Sequence, residues 1–257
     1  MLAFTREVGP AIGECELTHL VRQPIDFDAA VRQHESYERC LADLGCRLCR
    51  VPGGRELPDG VFIEDTAVVL DELAVIARPG AVSRRLETAA VAEALRPHRP
   101  LVTIEAPGTL DGGDVLRVGR SIYMGLSSRS NAEGIRQLAR HLAPFGYGVC
   151  AVEVSMALHL KSAVTQVAEG TLLINGDWVQ PEAFAGLDLI AVDRAEPFGG
   201  NALRIGGAVV YPSTFPRTRS ALEARGIAVR AVDVSELAKA EGGVTCCSLL
   251  LREEGDR

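Results

Sequence analysis

Short apolar runs dominate the chain, and they come in pairs joined by tight polar turns. Ala67-Val68-Val69-Leu70 and Leu73-Ala74-Val75-Ile76-Ala77 flank Asp71-Glu72, and Val115-Leu116-Arg117-Val118 and Ser121-Ile122-Tyr123-Met124-Gly125 flank Gly119-Arg120. Ala163–Val167 pairs with Thr171–Ile174, and Ala202–Ile205 with Ala208–Tyr211 across Gly206-Gly207. Runs of this length broken by short polar turns predict β-hairpins. After the first, second and fourth hairpins the apolar spacing lengthens to that of a helix, over Ser83–Leu95, Asn131–Leu142 and Pro216–Arg225. Each helix leads into a further strand, at Leu101–Ile104, Gly148–Val152 and Ile227–Val232.

The hairpins open on a polar residue, at Asp65, Asp114, Lys161, Asn201 and then Cys246, a period of roughly 45 residues. In the fifth unit Cys247–Leu251 has no apolar run after it. The spare strand lies at the other end, Leu2–Arg6, and a helix at Phe27–Leu44 and a strand at Cys46–Val51 follow it. The two terminal runs are therefore expected to pair with each other. Five ββαβ units, one split across the termini, predict a closed ring of small sheets around an axis with helices outside. The expected fold class is α/β, in one domain spanning 1–257. The five opening residues should then meet at the axis.

Composition narrows the function. A chain with 47% hydrophobic and 24% charged residues can bury a sizeable core. The net charge of −7 argues against a nucleic-acid partner, which would call for basic patches. No apolar run approaches the ~20 residues of a membrane span, and Met1–Glu7 lacks the basic flank and apolar stretch of a signal peptide. Cytoplasm is the expected location, with no membrane partner. Seven cysteines, an odd number, do not read as a disulfide framework. Cys46 and Cys49 have C-x-x-C spacing inside an alternating run, where they would face opposite sides, against a metal or redox pair.

Candidate chemistry gathers where the repeat meets its axis. Gly242-Gly243-Val244-Thr245-Cys246-Cys247-Ser248-Leu249-Leu250-Leu251 reads as a strand approached through two glycines, which would turn Cys246 and Cys247 to opposite faces. One of these thiols is a nucleophile candidate; two small core residues is the plainer alternative. A thiol with the usual pKa of ~8.5 needs a base or a cation beside it. Of the five histidines, His34, His98 and His141 occupy packing or solvent positions, and His19 lies in a loop that could cover a pocket. His159, in Leu158-His159-Leu160-Lys161-Ser162, is the one the repeat brings beside Cys246, although a hydrogen-bonded core histidine is the plainer reading. Thr109-Leu110-Asp111-Gly112-Gly113-Asp114 places two carboxylates at the same end, where they could orient a histidine or cap a turn. Asp59, Glu64 and Asp65 surround Phe62 and suit a planar cation. Arg84 and Arg129 occupy equivalent slots after successive hairpins, where they could clamp a carboxylate or stand solvated at helix starts. A ligand with a cation at one end and a carboxylate at the other, an arginine-like molecule, fits this set.

Five segments in order carry a resemblance that runs nearly end to end: Leu57–Asp65, Arg78–Arg85, Thr109–Asp114, Leu158–Ser162 and Gly243–Cys246. On them the chain resembles the dimethylarginine dimethylaminohydrolases of the guanidine-modifying, pentein superfamily. The resemblance implies a five-bladed α/β propeller, in agreement with the repeat. It implies Cys246 as nucleophile, His159 as general acid and base, and Asp111 as its orienting partner, with Cys247 structural. It implies guanidinium contacts from Glu64 and Asp65 with Asp59 lining the same pocket, a carboxylate clamp from Arg84 and Arg129, a lid contact at Leu17, and a backbone carbonyl at Ala240 for the α-amine. At Ala240 the family usually carries a larger aliphatic residue, and at Glu241 usually Asp. The implied reaction is hydrolysis of Nω-methylated arginines to citrulline through a covalent thiouronium, with no metal or organic cofactor, although zinc could still bind a Cys–His site and inhibit. Arginine deiminase chemistry on free arginine is the nearest alternative, and a non-catalytic pentein akin to the ribosome-binding anti-association factor the more distant one. An agmatine-type substrate would leave Arg84 and Arg129 without a carboxylate. The oligomeric state, monomer or homodimer, is left open.

Overall fold

The computed structural model describes residues 1–253, so the last four positions of the expected 1–257 domain lie outside the described residues. Fifteen strands among the described residues form five three-stranded sheets. They are β3 (Ala67–Val69), β4 (Ala74–Ile76) and β5 (Leu101–Thr103); β6 (Val115–Val118), β7 (Ser121–Leu126) and β8 (Gly148–Glu153); β9 (Val164–Ala168), β10 (Thr171–Ile174) and β11 (Asp188–Ala191); and β12 (Leu203–Ile205), β13 (Ala208–Pro212) and β14 (Ala228–Val232). The fifth sheet joins the chain ends, with β1 (Leu2–Thr5) between β15 (Leu249–Leu251) and β2 (Arg47–Arg50). In every sheet the middle strand runs antiparallel to its hairpin partner and parallel to the strand that returns from the crossover. The expected pairing of the termini is present, with Ala3 opposite Leu250.

Helices α1 (Phe27–Asp43), α2 (Thr88–Leu95), α3 (Ala132–Leu142) and α5 (Pro216–Ala224) make four of the crossovers, and α4 (Leu160–Ala163) and α6 (Ser235–Ala238) are single turns. Asp26 caps α1 by accepting from the Ala29 amide at 2.9 Å, and Asn131 caps α3 by accepting from Gly134 at 2.9 Å, satisfying donors a helix start leaves unpaired. The third crossover carries only a 3-10 turn, Pro181–Phe184, before β11, a strand the apolar pattern does not announce. The segment is short, and Gly176, Pro181 and Gly186 leave no room for a helix; the buried Phe184 ring stacks at 4.9 Å on Tyr123 instead.

Packing closes the ring. Each of the five apolar clusters lies between two successive sheets, such as Val75, Ile104, Val115, Ile122 and Met124 between the first two units, and Leu2, Phe4, Ala67, Ile76 and Leu249 between the fifth and the first. At the axis the opening polar residues link unit to unit. Asp65 accepts from Gly113 N at 2.9 Å, Asp114 from Leu160 N at 2.9 Å, and Lys161 O from Asn201 Nδ2 at 3.0 Å. Asn201 Oδ1 accepts from Thr245 N at 3.1 Å, and Cys246 O from Glu64 N at 3.1 Å, which returns to the first unit. The chain is a five-bladed α/β propeller.

The stretch before β15 departs from expectation. Strand geometry is confined to Leu249–Leu251, and Gly242–Ser248 is a chain of turns closed by Cys246 N to Gly243 O at 3.2 Å. Cys246 and Cys247 are therefore not divided between two faces of a sheet; both are buried, at 9% and 0% exposure. The glycines explain the turn. A Cβ on Gly242 would fall 2.1 Å from Phe62, and one on Gly243 2.4 Å from Asn201, so this backbone packs edge-on where a strand would stand off.

Candidate active site

The loops at one end of the axis bring Cys246, His159, Asp65, Asp59, Arg129 and Glu16 around a cavity of about 10 Å³. Arg84 and Ala240 border it as well. His159 precedes α4, and its ring sits between two carboxylates: Nε2 is 3.0 Å from Asp111 Oδ2 and Nδ1 is 3.8 Å from Asp65 Oδ1. Asp111 is itself held by the Gly80 amide at 2.9 Å, while its own amide donates to Ser130 Oγ at 3.0 Å. Burial works against a charged imidazole, but Asp65, the Asp111 hydrogen bond and Asp114 outweigh it and raise His159 to about 9. Gly113 is required here, because a Cβ would lie 2.7 Å from both His159 Nδ1 and Asp65 Oδ1.

Cys246 Sγ accepts from the Gly243 amide at 3.3 Å. Burial, followed by the negative charges of Glu64 and Asp65, pushes the thiol up to about 12, against that hydrogen bond and Lys161. Glu64, buried beside it, is bound by Lys161 Nζ at 2.5 Å and Thr245 Oγ1 at 2.8 Å, and burial raises its pKa. Asp65 is buried too, which would raise its pKa, but His159, Arg84 and the Gly113 amide bring it to about 2. From the same turn, Ile63–Thr66, Asp65 borders the cavity, whereas Glu64 does not and turns its two oxygens to Lys161 and Thr245.

The two arginines read as equivalent are not alike. Arg84 Nε and Nη2 grip Glu87 at 3.0 and 2.8 Å, Nη1 meets Asp65 at 2.5 Å, and Nη2 also reaches the Phe62 carbonyl at 2.9 Å. Little of its fork is left for a further partner. Among the described residues the Arg129 guanidinium makes one hydrogen bond, to Thr18 Oγ1 at 3.3 Å, and lies 3.8 Å from Asp111. Glu87, three residues beyond Arg84 and fully buried with it, was absent from the candidates; the i,i+3 spacing of opposite charges is the signal that could have found it.

The N-terminal loop covers the cavity. Asp59 accepts from the Glu16 amide at 3.1 Å, and burial raises its pKa. Glu241 accepts from three consecutive amides, Thr18, His19 and Leu20, the last two at 2.6 Å. It is Glu16 that borders the cavity, whereas Leu17 packs, partly buried, against the apolar cluster of the fourth and fifth units. Beside this cavity, and sharing Leu158, Glu241 and Gly242 with it, lies a chamber of about 360 Å³ bounded by Met156, Trp178, Phe198 and Phe215. Among the described residues, Asp65, Asp111 and His159 are the acidic and imidazole groups whose ligand atoms converge, within 4.8 Å. A protonated His159 has no lone pair for a cation, so this cluster is built for a proton more than for a metal.

The fold is that of the guanidine-modifying propellers. The family model for N,N dimethylarginine dimethylhydrolase, eukaryotic, matches residues 22–251, and the chain belongs to the dimethylarginine dimethylaminohydrolase family. It is 39% identical to N(G),N(G)-dimethylarginine dimethylaminohydrolase of Streptomyces coelicolor over 98% of this chain and 97% of the relative. The solved Pseudomonas aeruginosa enzyme, a cysteine-to-serine variant complexed with citrulline, is 33% identical, with a TM-score of 0.92 over 96% of this chain and 97% of that one. A histidine-to-glycine dimethylarginine dimethylaminohydrolase in adduct with S-methyl-L-thiocitrulline is also 33% identical, with a TM-score of 0.91 over 96% and 98%.

Proposed function

We propose that the protein hydrolyses Nω-methylated arginines to citrulline and methylamine or dimethylamine, with Cys246 as nucleophile, His159 as acid and base, and Asp111 as its orienting partner. The observation that carries this reading is the shared cavity: the Cys246 thiol and an imidazole clamped between Asp65 and Asp111 border it together, with Glu64 buried close to the thiol. A guanidinium seated against Glu64 and Asp65 offsets the field that holds the thiol protonated. The substrate's own charge therefore favours the thiolate, and because His159 already holds a proton, the thiol's proton passes to solvent as the substrate seats.

The thiolate attacks the guanidinium carbon, forming the C–S bond while the C=N electron pair moves to nitrogen. His159, charged at neutral pH, gives its proton to the methylated nitrogen, and the C–N bond breaks to release the amine. The thiouronium left on Cys246 is attacked by water, which loses a proton to the now neutral His159. Collapse breaks the C–S bond and yields citrulline and thiolate. Arg129 is the better placed of the two arginines to hold the substrate carboxylate, Arg84 retaining at most a single N–H for it. Ala240 and Leu17 are assigned to the amino-acid end, and Asp59 to the guanidinium pocket. An amino acid needs a cavity far larger than about 10 Å³, since ligand sites run to ~300 Å³ or more, so the loop bearing Glu16 and Leu17 must lift to admit it. The ring acts in this reading as one catalytic domain, and the odd cysteine count fits a reducing, cytoplasmic setting.

Citrulline release from asymmetric dimethylarginine, monomethylarginine and arginine, side by side with Cys246→Ser as blank, tests the proposal. The methylated forms should turn over with little release from arginine. Release chiefly from arginine would make it a deiminase, and activity in Cys246→Ser would remove the nucleophile.

A further inference from the structure

Asn201 opens the fourth unit, and the reaction outlined above gives it no part. Its amide is nevertheless fully used. Nδ2 donates to Lys161 O at 3.0 Å and to Thr245 Oγ1 at 2.9 Å, and Oδ1 accepts from Thr245 N at 3.1 Å. Two of the three bonds end on the residue next to Cys246. The same side chain packs on the other end of the turn, where Gly243 approaches so closely that a Cβ would sit 2.4 Å from Asn201 Oδ1. Between those two contacts the Gly243 N–H points at Cys246 Sγ.

We propose that Asn201 is the positioning residue of the nucleophile, pinning the Gly243–Cys246 turn so that the Gly243 amide donates to the sulfur. The inference rests on the reading of Cys246 as nucleophile. The charged groups near the thiol are Glu64 and Asp65 from the Ile63–Thr66 turn, Lys161 from α4 and His159 across the cavity, and beneath it the Tyr37 hydroxyl and the Cys247 thiol are turned to Ser248 and to Gly243 O. The carboxylates oppose ionisation, and the amide is a neutral donor whose benefit depends on aim alone. An asparagine suits the task because one planar group supplies two donors and an acceptor. Aspartate would match the shape but lose both donors, and alanine would lose all three bonds.

The test is the pH dependence of Cys246 alkylation by iodoacetamide, read by peptide mass spectrometry, together with kcat and KM on monomethylarginine, for Asn201→Ala and Asn201→Asp. Both variants should alkylate about tenfold more slowly at pH 8, with the midpoint displaced upward by about one unit. Both should lose about a hundredfold in kcat with KM changed less than about threefold. Where either fails to fold, Asn201→Gln, which keeps the amide but displaces it by one methylene and leaves the Thr245 bond to Glu64 in place, should move the same profile in the same direction. A purely structural asparagine would lower the melting temperature and leave the alkylation profile of the folded protein in place, and that result overturns the proposal. The alkylation readout needs no substrate, so wild-type profiles in the Asn201 variants beside an inactive Cys246→Ser would defeat this inference alone. Activity retained in Cys246→Ser would defeat both.

Discussion

The first two blades and the next two meet the axis in different ways. On one side, six charged groups follow one another through the interior with signs alternating: Glu87, Arg84, Asp65, His159, Asp111 and Arg129. On the other, Trp178, Phe198 and Phe215 line an open chamber. The sheets beneath are the same in strand order and direction. What differs is the loop between the middle strand and the crossover. In the first unit it carries Arg84 and Glu87, in the second Arg129, and in the third Asn175, Trp178 and a crossover with no α-helix. The frame sets positions and the loops set chemistry. Charges are tolerated inside because each has an opposite neighbour, and removing one leaves its partner exposed to the full cost of burial.

The contrast can be broken at several points. The largest effect is expected for Asp111→Asn, which removes the charge that orients His159. Steady-state kinetics should show kcat reduced by roughly 10³- to 10⁴-fold, and a reduction below tenfold would mean that the alternating charges are scaffolding. Next, Glu87→Gln should destabilise the fold by about 3 kcal/mol in urea denaturation, because Arg84 then lies buried with half its neutralisation gone. The Arg136–Glu133 pair on the surface offers the internal comparison, with Glu133→Gln leaving the urea midpoint nearly unmoved.

A smaller effect is expected from pH. His159 sits at about 9 in the fold against 6.5 unfolded. The native state therefore holds that proton more tightly, and the stability it contributes is complete below 6.5 and lost as pH rises through 9. Melting temperatures recorded from pH 6 to 10 should fall by about 7 °C through that window, and Asp111→Asn should flatten the slope. Smallest of all, Phe198→Ala, on the apolar side and half-exposed, should cost less than about 1 kcal/mol and leave kcat within twofold. A large loss of turnover there would bring the chamber into the catalytic machinery.

The ring was legible because hairpins with two-residue turns announce themselves, and because period and termini agreed. β11 was not, since its crossover lacks the helical spacing that frames the other return strands. The site was legible as a set of residues, less so as a set of partnerships. His159, Asp111 and Asp65 converge as the repeat requires, but nothing in the local pattern around Arg84 says that Asp65 and Glu87 take up its fork. The turn that carries Cys246 was misread as a strand for a related reason. Apolar alternation there is real, but Phe62 and Asn201, far away in the chain, decide what Gly242 and Gly243 do. Glu241, at a φ of +59°, is likewise held by the loop it anchors and by nothing adjacent in sequence.

The strand pairing at the chain ends has a consequence for biosynthesis. β1 is made long before β15, yet one of its two edges waits for that strand, with Ala3 opposite Leu250, and the turn bearing Cys246 is made just ahead of β15. A nascent chain can assemble most of its blades but neither holds the Cys246 thiol nor seals the circle until β15 has emerged. Products truncated ahead of Gly242, however well folded in part, lack both that thiol and the strand that closes the ring.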